Sequence, residues 1–407
     1  MQTPNAASLQ AQKRGAWILA AGQTIVWAGL FYVFAALLFA WEQDLGWAKS
    51  QLAIGFTGAL LVAAIVSPIG GRLIDAGLGR FSLTGGAMLG AVALAVLSRV
   101  QSPVQFVAVW AAIGVAQGAC LYEPCFAFVT RNSGALARGF ITRITLMAGF
   151  ASFIAFPSGA LLADAFGWRG AVMIFAMVVG LLGAPLLFVG ASLMQQGVVQ
   201  PATRDRKTLD GHALRLAFRN PVFWLLAVAF SLLAVNHGLL ISHIVPLLVE
   251  KGLGQALAVS AASVVGPMQV VGRLVLFGVG SKASTMTIAI VCFCGVIFAS
   301  VFLMLSGGGV VLIFAFAATQ GASYGLVSIV KPLVIAEGLG RQAFGAISGW
   351  LAMPYLAGAA IGPLVGAVLW RIGGYDLAIA VAAALAFAGL ICIVVLARLR
   401  RRAIAST

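Results

Sequence analysis

The sequence predicts an all-α polytopic membrane protein of twelve transmembrane helices, arranged as two pseudo-symmetric six-helix bundles. Three observations lead there. Hydrophobic residues make up 62% of the 407, charged residues 9%, and the mean hydropathy is +1.07, which leaves too little polar surface to coat a soluble globule. Apolar runs of about 20 residues or more recur along the chain, the length that crosses roughly 30 Å of hydrocarbon. A short charged interruption, GGRLIDAGLGR over Gly70–Arg80, returns in the second half as VGRLVLFGVGSK over Val271–Lys282.

Taken in order, the spans fall near residues 15–40, 51–70, 81–100, 103–130, 139–163, 170–193, 221–249, 256–277, 285–306, 310–336, 343–369 and 377–397. Lys13 and Arg14 precede the first run like a signal-peptide start. That run is too long for a cleavable segment, whose apolar region spans about 7–15 residues, so it reads as a retained helix. Twelve spans place both termini on one side. Of the 25 basic residues, only Lys49, Arg99, Arg169, Lys251 and Arg371 fall on the other. This positive-inside asymmetry predicts cytoplasmic termini in a cell (inner) membrane. The longest polar stretch, residues 195–220, divides an N-terminal bundle (1–194) from a C-terminal bundle (221–407) and reads as a cytoplasmic linker, amphipathic around Asp210–Phe218.

The formal charge of +15 is spread over short loops and the tail with no aromatic-basic platform, which argues against nucleic acid. All five cysteines lie in apolar runs, so neither a disulfide framework nor a zinc site is expected, and no metal or cofactor is called for. The loops are too short for a catalytic domain. The absence of H-E-x-x-H and G-x-S-x-G motifs argues against an enzyme.

Two further echoes support duplication. AQGAC at Ala116–Cys120 returns as TQGAS at Thr319–Ser323, and GALLADAFGWRG at Gly159–Gly170 returns loosely as GAVLWRIGGYDL at Gly366–Leu377. Three matches in one order at a near-constant offset of half the chain mark an internal repeat.

On these residues the chain resembles the major facilitator superfamily, whose two six-helix halves are related by an axis along the membrane normal. Gly71, Leu73, Asp75 and Arg80 are similar to its loop signature between spans 2 and 3, with Ala76 standing where a basic residue is usual. YEP at Tyr122–Pro124, the run ending in GWRG, and VGRL in span 8 resemble the branch that includes monocarboxylate transporters and related bacterial members. The resemblance implies a gating role for Gly71, Asp75 and Arg80, and an anion-pairing arginine at Arg273.

The residues themselves supply the other candidates. Glu123 is the one carboxylate placed inside a span, and such a group is costly unless paired or protonated. Arg143 falls at a similar depth on span 5, so the two read either as an ion pair or as a proton acceptor beside an anion site. Arg273 and Lys331 are near-membrane cations that either snorkel or bind an anion. Asn236 and His237 sit near the middle of span 7, where a histidine suits proton coupling or ligand hydrogen bonding. Gln23, Tyr32, Gln269, Gln320, Tyr324 and Tyr355 offer neutral polar contacts to a ligand, or interhelical glue. The equivalence of Gln117 and Gln320 in the repeat favours glue for that pair. Trp41, Trp47, Trp168 and Trp370 read as interfacial anchors.

The expected function is therefore secondary active transport of a small solute by alternating access, in a monomer embedded in the lipid bilayer. The excess of intramembrane Arg and Lys over carboxylate leans toward an organic anion or carboxylate, with protons as the coupling partner, unless these cations all snorkel. A proton-driven exporter of hydrophobic drugs and a non-transporting membrane sensor are the alternatives.

Overall fold

The computed structural model describes residues 6–196, 203–279, 283–307 and 309–405, and no strand occurs among them. The centre of the expected linker, residues 197–202, and Lys282 lie outside the described residues. Nine continuous helical stretches among the described residues are long and apolar enough to cross a membrane. Three of the nine are two helices joined across a glycine in the left-handed region, at Gly77 (φ 86°), Gly167 (φ 68°) and Gly374 (φ 69°). Such a backbone suits glycine because a Cβ would clash there. Dividing at these points gives twelve spans.

They are α1 (Ala7–Leu45), α2 (Lys49–Leu73), α3 (Gly79–Leu97), α4 (Pro103–Ser133), α5 and α6 (residues 137–166 and 168–195), α7 (Pro221–Ser242), α8 (Gln255–Val279), α9 (Thr285–Met304), α10 (Val310–Leu339), and α11 and α12 (residues 344–372 and 375–405). A separate helix, Thr203–Arg219, covers the segment expected to be amphipathic, and Ile244–Glu250 continues α7. Local chemistry sets several of these boundaries. Ser102 and Asn220 accept hydrogen bonds from Gln105 N and Val222 N at the starts of α4 and α7, each followed by a proline at the first helical position. Proline's fixed φ and missing N–H fit that position, and the cap satisfies an orphan donor.

The chain divides into two compact units. The first holds the residues up to Arg215 together with Arg341–Met353, and the second holds Leu216–Gly340 and the residues from Pro354 onward. In the first, α4 packs against both α2 and α3; in the second, α10 packs against both α8 and α9. The contacts rest on the same device. Gly114 and Gly118, one turn apart on α4, lie on the backbone of Ala59 and Ala63 of α2, while Gly321 and Gly325 on α10 lie on Val265 and Gln269 of α8. Without a hydrophobic drive between helices in lipid, such small-residue contact is what lets backbones close to van der Waals distance.

Two of the expected interfacial anchors are core residues instead. Trp41 is fully buried against Phe34, Phe106 and Trp110, and Trp168 is almost as buried, with its indole N–H donating to Asp44 Oδ2 at 2.5 Å. Position along the chain put them near the membrane surface, but the aromatic bulk fills the space between α1, α4 and α6.

The glycine contact makes a direct prediction. A Cβ at Gly114 would meet the backbone of Ala59, whereas one at Gly58 would meet nothing within 4 Å. Gly114→Ala should lower stability by about 1–3 kcal/mol, as overpacking does, and Gly58→Ala should leave it unchanged or slightly raised. Thermal unfolding of the two purified variants in detergent checks the contrast.

Candidate functional site

In the first unit, the turn after α2 (Ile74–Leu78) presents Asp75, which is 5% exposed. Its Oδ1 accepts from Gly345 N at 3.0 Å and its Oδ2 from Ala346 N at 2.7 Å. These are among the first amides of α11, which have no partner within their own helix, so the carboxylate caps them and meets the positive end of the helix dipole. Gly71 makes this approach attainable, because a Cβ there would overlap the Gly345 carbonyl. Arg131, at the end of α4, donates through Nη1 to Asp75 Oδ1 at 3.3 Å and also to the Asp75 carbonyl. Arg80 lies elsewhere, with its guanidinium over the rings of Phe81 (4.7 Å) and Phe188 (5.8 Å).

Deeper in the same unit α4 is broken. Leu121 is extended (φ −77°, ψ −158°) between helical segments ending at Cys120 and starting at Tyr122. Pro124 has no N–H to offer the Cys120 carbonyl four residues earlier. Gln23, fully buried on α1, supplies that missing donor through Nε2 at 2.7 Å, and Ser82 of α3 reaches the Ala119 carbonyl at 3.4 Å. Gln117 likewise donates to the Leu30 carbonyl at 2.7 Å, inside the wide turn of α1 at Ala28–Tyr32. Aromatic rings line this region. Trp27 lies 4.5 Å from Tyr122 and 6.1 Å from Tyr32, and Tyr122 stacks on Phe126 at 4.7 Å. Glu123, half-buried, occupies the first turn after the break. Arg143 on α5 is half-buried with its guanidinium 5.7 Å from the Phe140 ring.

The second unit carries a continuous polar chain. Asn236 on α7, fully buried, donates through Nδ2 to the Ala382 carbonyl of α12 at 2.8 Å. Gln320 on α10 directs Nε2 at Asn236 Oδ1 (3.3 Å) and at His237 Nδ1 (3.4 Å). The His237 ring lies flat on Tyr324, with centroids 3.4 Å apart and planes 3° from parallel. The Tyr324 and Tyr355 hydroxyls share a hydrogen bond at 2.9 Å, and Lys331 Nζ sits 3.7 Å from the centroid of the Tyr355 ring. Arg273 on α8 donates through Nε to the carbonyl of Gly325, next to Tyr324, at 3.0 Å. Gln269, half-buried one turn before Arg273, lies with its backbone against Gly325. Lys331 and Arg273 are 4% and 7% exposed, so neither side chain snorkels to the surface.

The family model of the Major Facilitator Superfamily matches residues 19–353. The chain belongs to the Major Facilitator Superfamily. Crystal structures with the same architecture include the transporter FucP in its outward conformation, at 14% identity and a TM-score of 0.73. A second, of the E. coli fucose:proton symporter FucP, stands at 15% identity and a TM-score of 0.70. Each comparison covers 93% of this chain and 98% of the other. None of the curated proteins matches in sequence. At such identities the likeness is one of fold. This superfamily member therefore has a transporter's architecture, and its chemistry rests on its own residues.

The structure gathers most of the expected residues into these three groups. Asp75 and Gly71 form the first, Gln23, Tyr32 and Glu123 belong to the second, and Asn236, His237, Gln269, Arg273, Tyr324, Lys331 and Tyr355 form the third. Arg80 and Arg143 stand on phenylalanine rings instead. Sequence reasoning overlooked Arg131, Trp27 and Tyr122. For Arg131 a signal existed, since it is a basic residue at the end of span 4, but eight other arginines, in the loops expected on the same side, carry the same signal. Trp27 and Tyr122 are brought together only by the break at Leu121.

Removing the Asp75 carboxylate leaves two helix-start amides and part of Arg131 without an acceptor. Asp75→Ala should therefore cost about 3–5 kcal/mol, the range for breaking a buried ion pair from one side, while Arg80→Ala should cost well under half of that. Thermal unfolding of both variants in detergent is the check.

Proposed function

We propose that the chain is a secondary active transporter that moves a small organic anion, a carboxylate, by alternating access in symport with protons. The observation that carries this reading is the burial of Arg273 and Lys331, at 7% and 4% exposure, on helices that cross the membrane. Buried cations in a bilayer are costly and mark ligand or ion pathways. The Nε bond from Arg273 to Gly325 fixes the plane of its guanidinium beside Tyr324, and a fixed planar fork suits a carboxylate. Tyr324, Tyr355 and His237 add neutral hydrogen-bonding groups along the same chain. Glu123, on the broken helix α4, is assigned the coupling proton, because it is a carboxylate in the first turn after the break of a membrane-crossing stretch, and a carboxylate at such a place marks an ion or proton pathway. The Asp75 cap on α11 acts as a latch that favours one conformational state, and both termini are cytoplasmic.

A second reading draws on the aromatic rings around the α4 break, Trp27, Tyr32, Tyr122 and Phe126. They would suit the hydrophobic compounds of a proton-driven exporter. A thermal-stability screen against small carboxylates, neutral sugars and lipophilic cations separates the two. A ligand present at about a hundred times its Kd stabilises the folded state by about 2.7 kcal/mol. Carboxylates should raise the unfolding midpoint in the unaltered protein and fail to do so in Arg273→Ala and Lys331→Ala. Stabilisation by lipophilic cations alone would instead establish the exporter.

A further inference from the structure

We infer that His237 is a hydrogen-bond donor of fixed tautomer, oriented by Asn236 and Gln320, that presents its Nε2–H to an acceptor oxygen of the transported solute. The inference rests on the anion-transport reading for the identity of that oxygen, and on geometry alone for the tautomer.

The argument starts at a backbone carbonyl, which can only accept. Asn236 approaches the Ala382 carbonyl at 2.8 Å, so the amide atom facing it must be the nitrogen, whichever way the side chain is drawn. The Asn236 oxygen is thereby turned toward Gln320. An oxygen there would repel another oxygen, so Gln320 must offer its nitrogen, as the 3.3 Å contact from Nε2 records. That orientation leaves Gln320 Oε1 buried without a hydrogen bond among the described residues, a sign that the Asn236 contact dictates the choice. An amide nitrogen carries two hydrogens and no lone pair for accepting. Its second contact, to His237 Nδ1 at 3.4 Å, therefore requires Nδ1 to be the unprotonated ring nitrogen. The proton of the neutral ring is on Nε2.

The ring is also held in plane. It lies 3.4 Å above Tyr324 at 3°, so rotation about its outer torsion would break the stack and the Gln320 contact together. Nε2 has no hydrogen-bond partner among the described residues, and it is not one of the side-chain nitrogens sealed from solvent. Of the two relay atoms without a hydrogen-bond partner among the described residues, Gln320 Oε1 and His237 Nε2, only Nε2 is open to solvent. The neighbouring groups along the chain are donors as well: the Lys331 ammonium, and whichever of the Tyr324 and Tyr355 hydroxyls accepts in the bond the two share, since that one keeps its own proton. An oxygen-rich anion is the class of ligand that such a row of donors recognises. Asn236 and Gln320 are positioning residues in this scheme, with Ala382 as the fixed point.

The tautomer can be read without any ligand. In protein labelled with 15N at histidine, carrying His212→Gln and His243→Gln so that His237 is the one imidazole, the spectrum should show an unprotonated Nδ1 and a protonated Nε2 at neutral pH. Gln320→Glu replaces the donor by an acceptor and should move the proton to Nδ1. Should the pair of histidine substitutions prevent folding, the same signals are assigned in the otherwise unaltered protein by their loss in His237→Gln. A protonated Nδ1 with Gln320 intact overturns the inference. The ligand arm uses the carboxylate that stabilises the unaltered protein in the thermal screen. His237→Phe keeps the stack on Tyr324 and loses the donor, and should weaken that carboxylate by about tenfold or more, the usual range for a hydrogen bond to a charged group. His237→Gln retains an N–H at the corresponding reach and should recover most of the affinity. Equal binding by His237→Phe and the unaltered protein overturns the donor role while leaving anion transport standing. If no carboxylate stabilises the unaltered protein, the anion reading fails, and the tautomer still stands or falls by the spectrum.

Discussion

In hydrocarbon every backbone N–H and C=O needs a partner within the protein, and this requirement governs the rest of the structure. Continuous helices meet it along most of the chain. At three of its irregular points, a side chain from another helix takes over. Pro124 removes the donor for the Cys120 carbonyl and Gln23 replaces it; the wide turn in α1 leaves the Leu30 carbonyl to Gln117; the start of α11 is capped by Asp75. Each repair ties two helices that are far apart in sequence, so the irregular points of the backbone are also its long-range ties.

These repairs work only because the helices are close. Gly114 and Gly118 hold α4 against α2, and Gly321 and Gly325 hold α10 against α8, while Gln23 and Gln117 each span the separate gap between α4 and α1 with a single side chain. The same is true at Asp75, where the facing glycines Gly71 and Gly345 allow a carboxylate to reach two amides at once. Close packing and polar satisfaction are one arrangement here. Loosening a glycine contact would lengthen the hydrogen bonds that depend on it.

The fold was legible in the sequence because span length and hydropathy are properties of contiguous residues. The charged turn at Gly70–Arg80 and its echo at Val271 were legible for the same reason. What stayed hidden depends on pairing at a distance. An arginine partner for Asp75 could be expected, but nothing local distinguishes Arg131 from Arg80. Trp41 and Trp168 sit where interfacial anchors sit along the chain, yet their rings turn inward to fill a gap between helices. Arg273 and Lys331 were open between snorkelling and burial, since hydropathy reports depth along a helix and not the face on which a side chain stands. The break at Leu121 had a local cue in Pro124, and proline within a span does not by itself say whether the helix kinks or divides.

Gln117 and Gln320 occupy equivalent places in the repeat and show how the two halves differ. Gln117 donates to a backbone carbonyl, so its role ends where the helix needs repair. Gln320 has no such carbonyl to satisfy and instead donates to two side chains, Asn236 and His237. The backbone carbonyl that anchors the group, Ala382, is one residue removed, behind Asn236. Inserting that asparagine converts a structural tie into a relay whose far end is an imidazole. A backbone carbonyl is always an acceptor, whereas an imidazole nitrogen takes the role its neighbours assign. The second half can therefore hold a chosen donor in place where the first half can only hold a helix together. Together with the burial of Arg273 and Lys331 in that half, this is the reason the proposed recognition of an anion is assigned to the second unit.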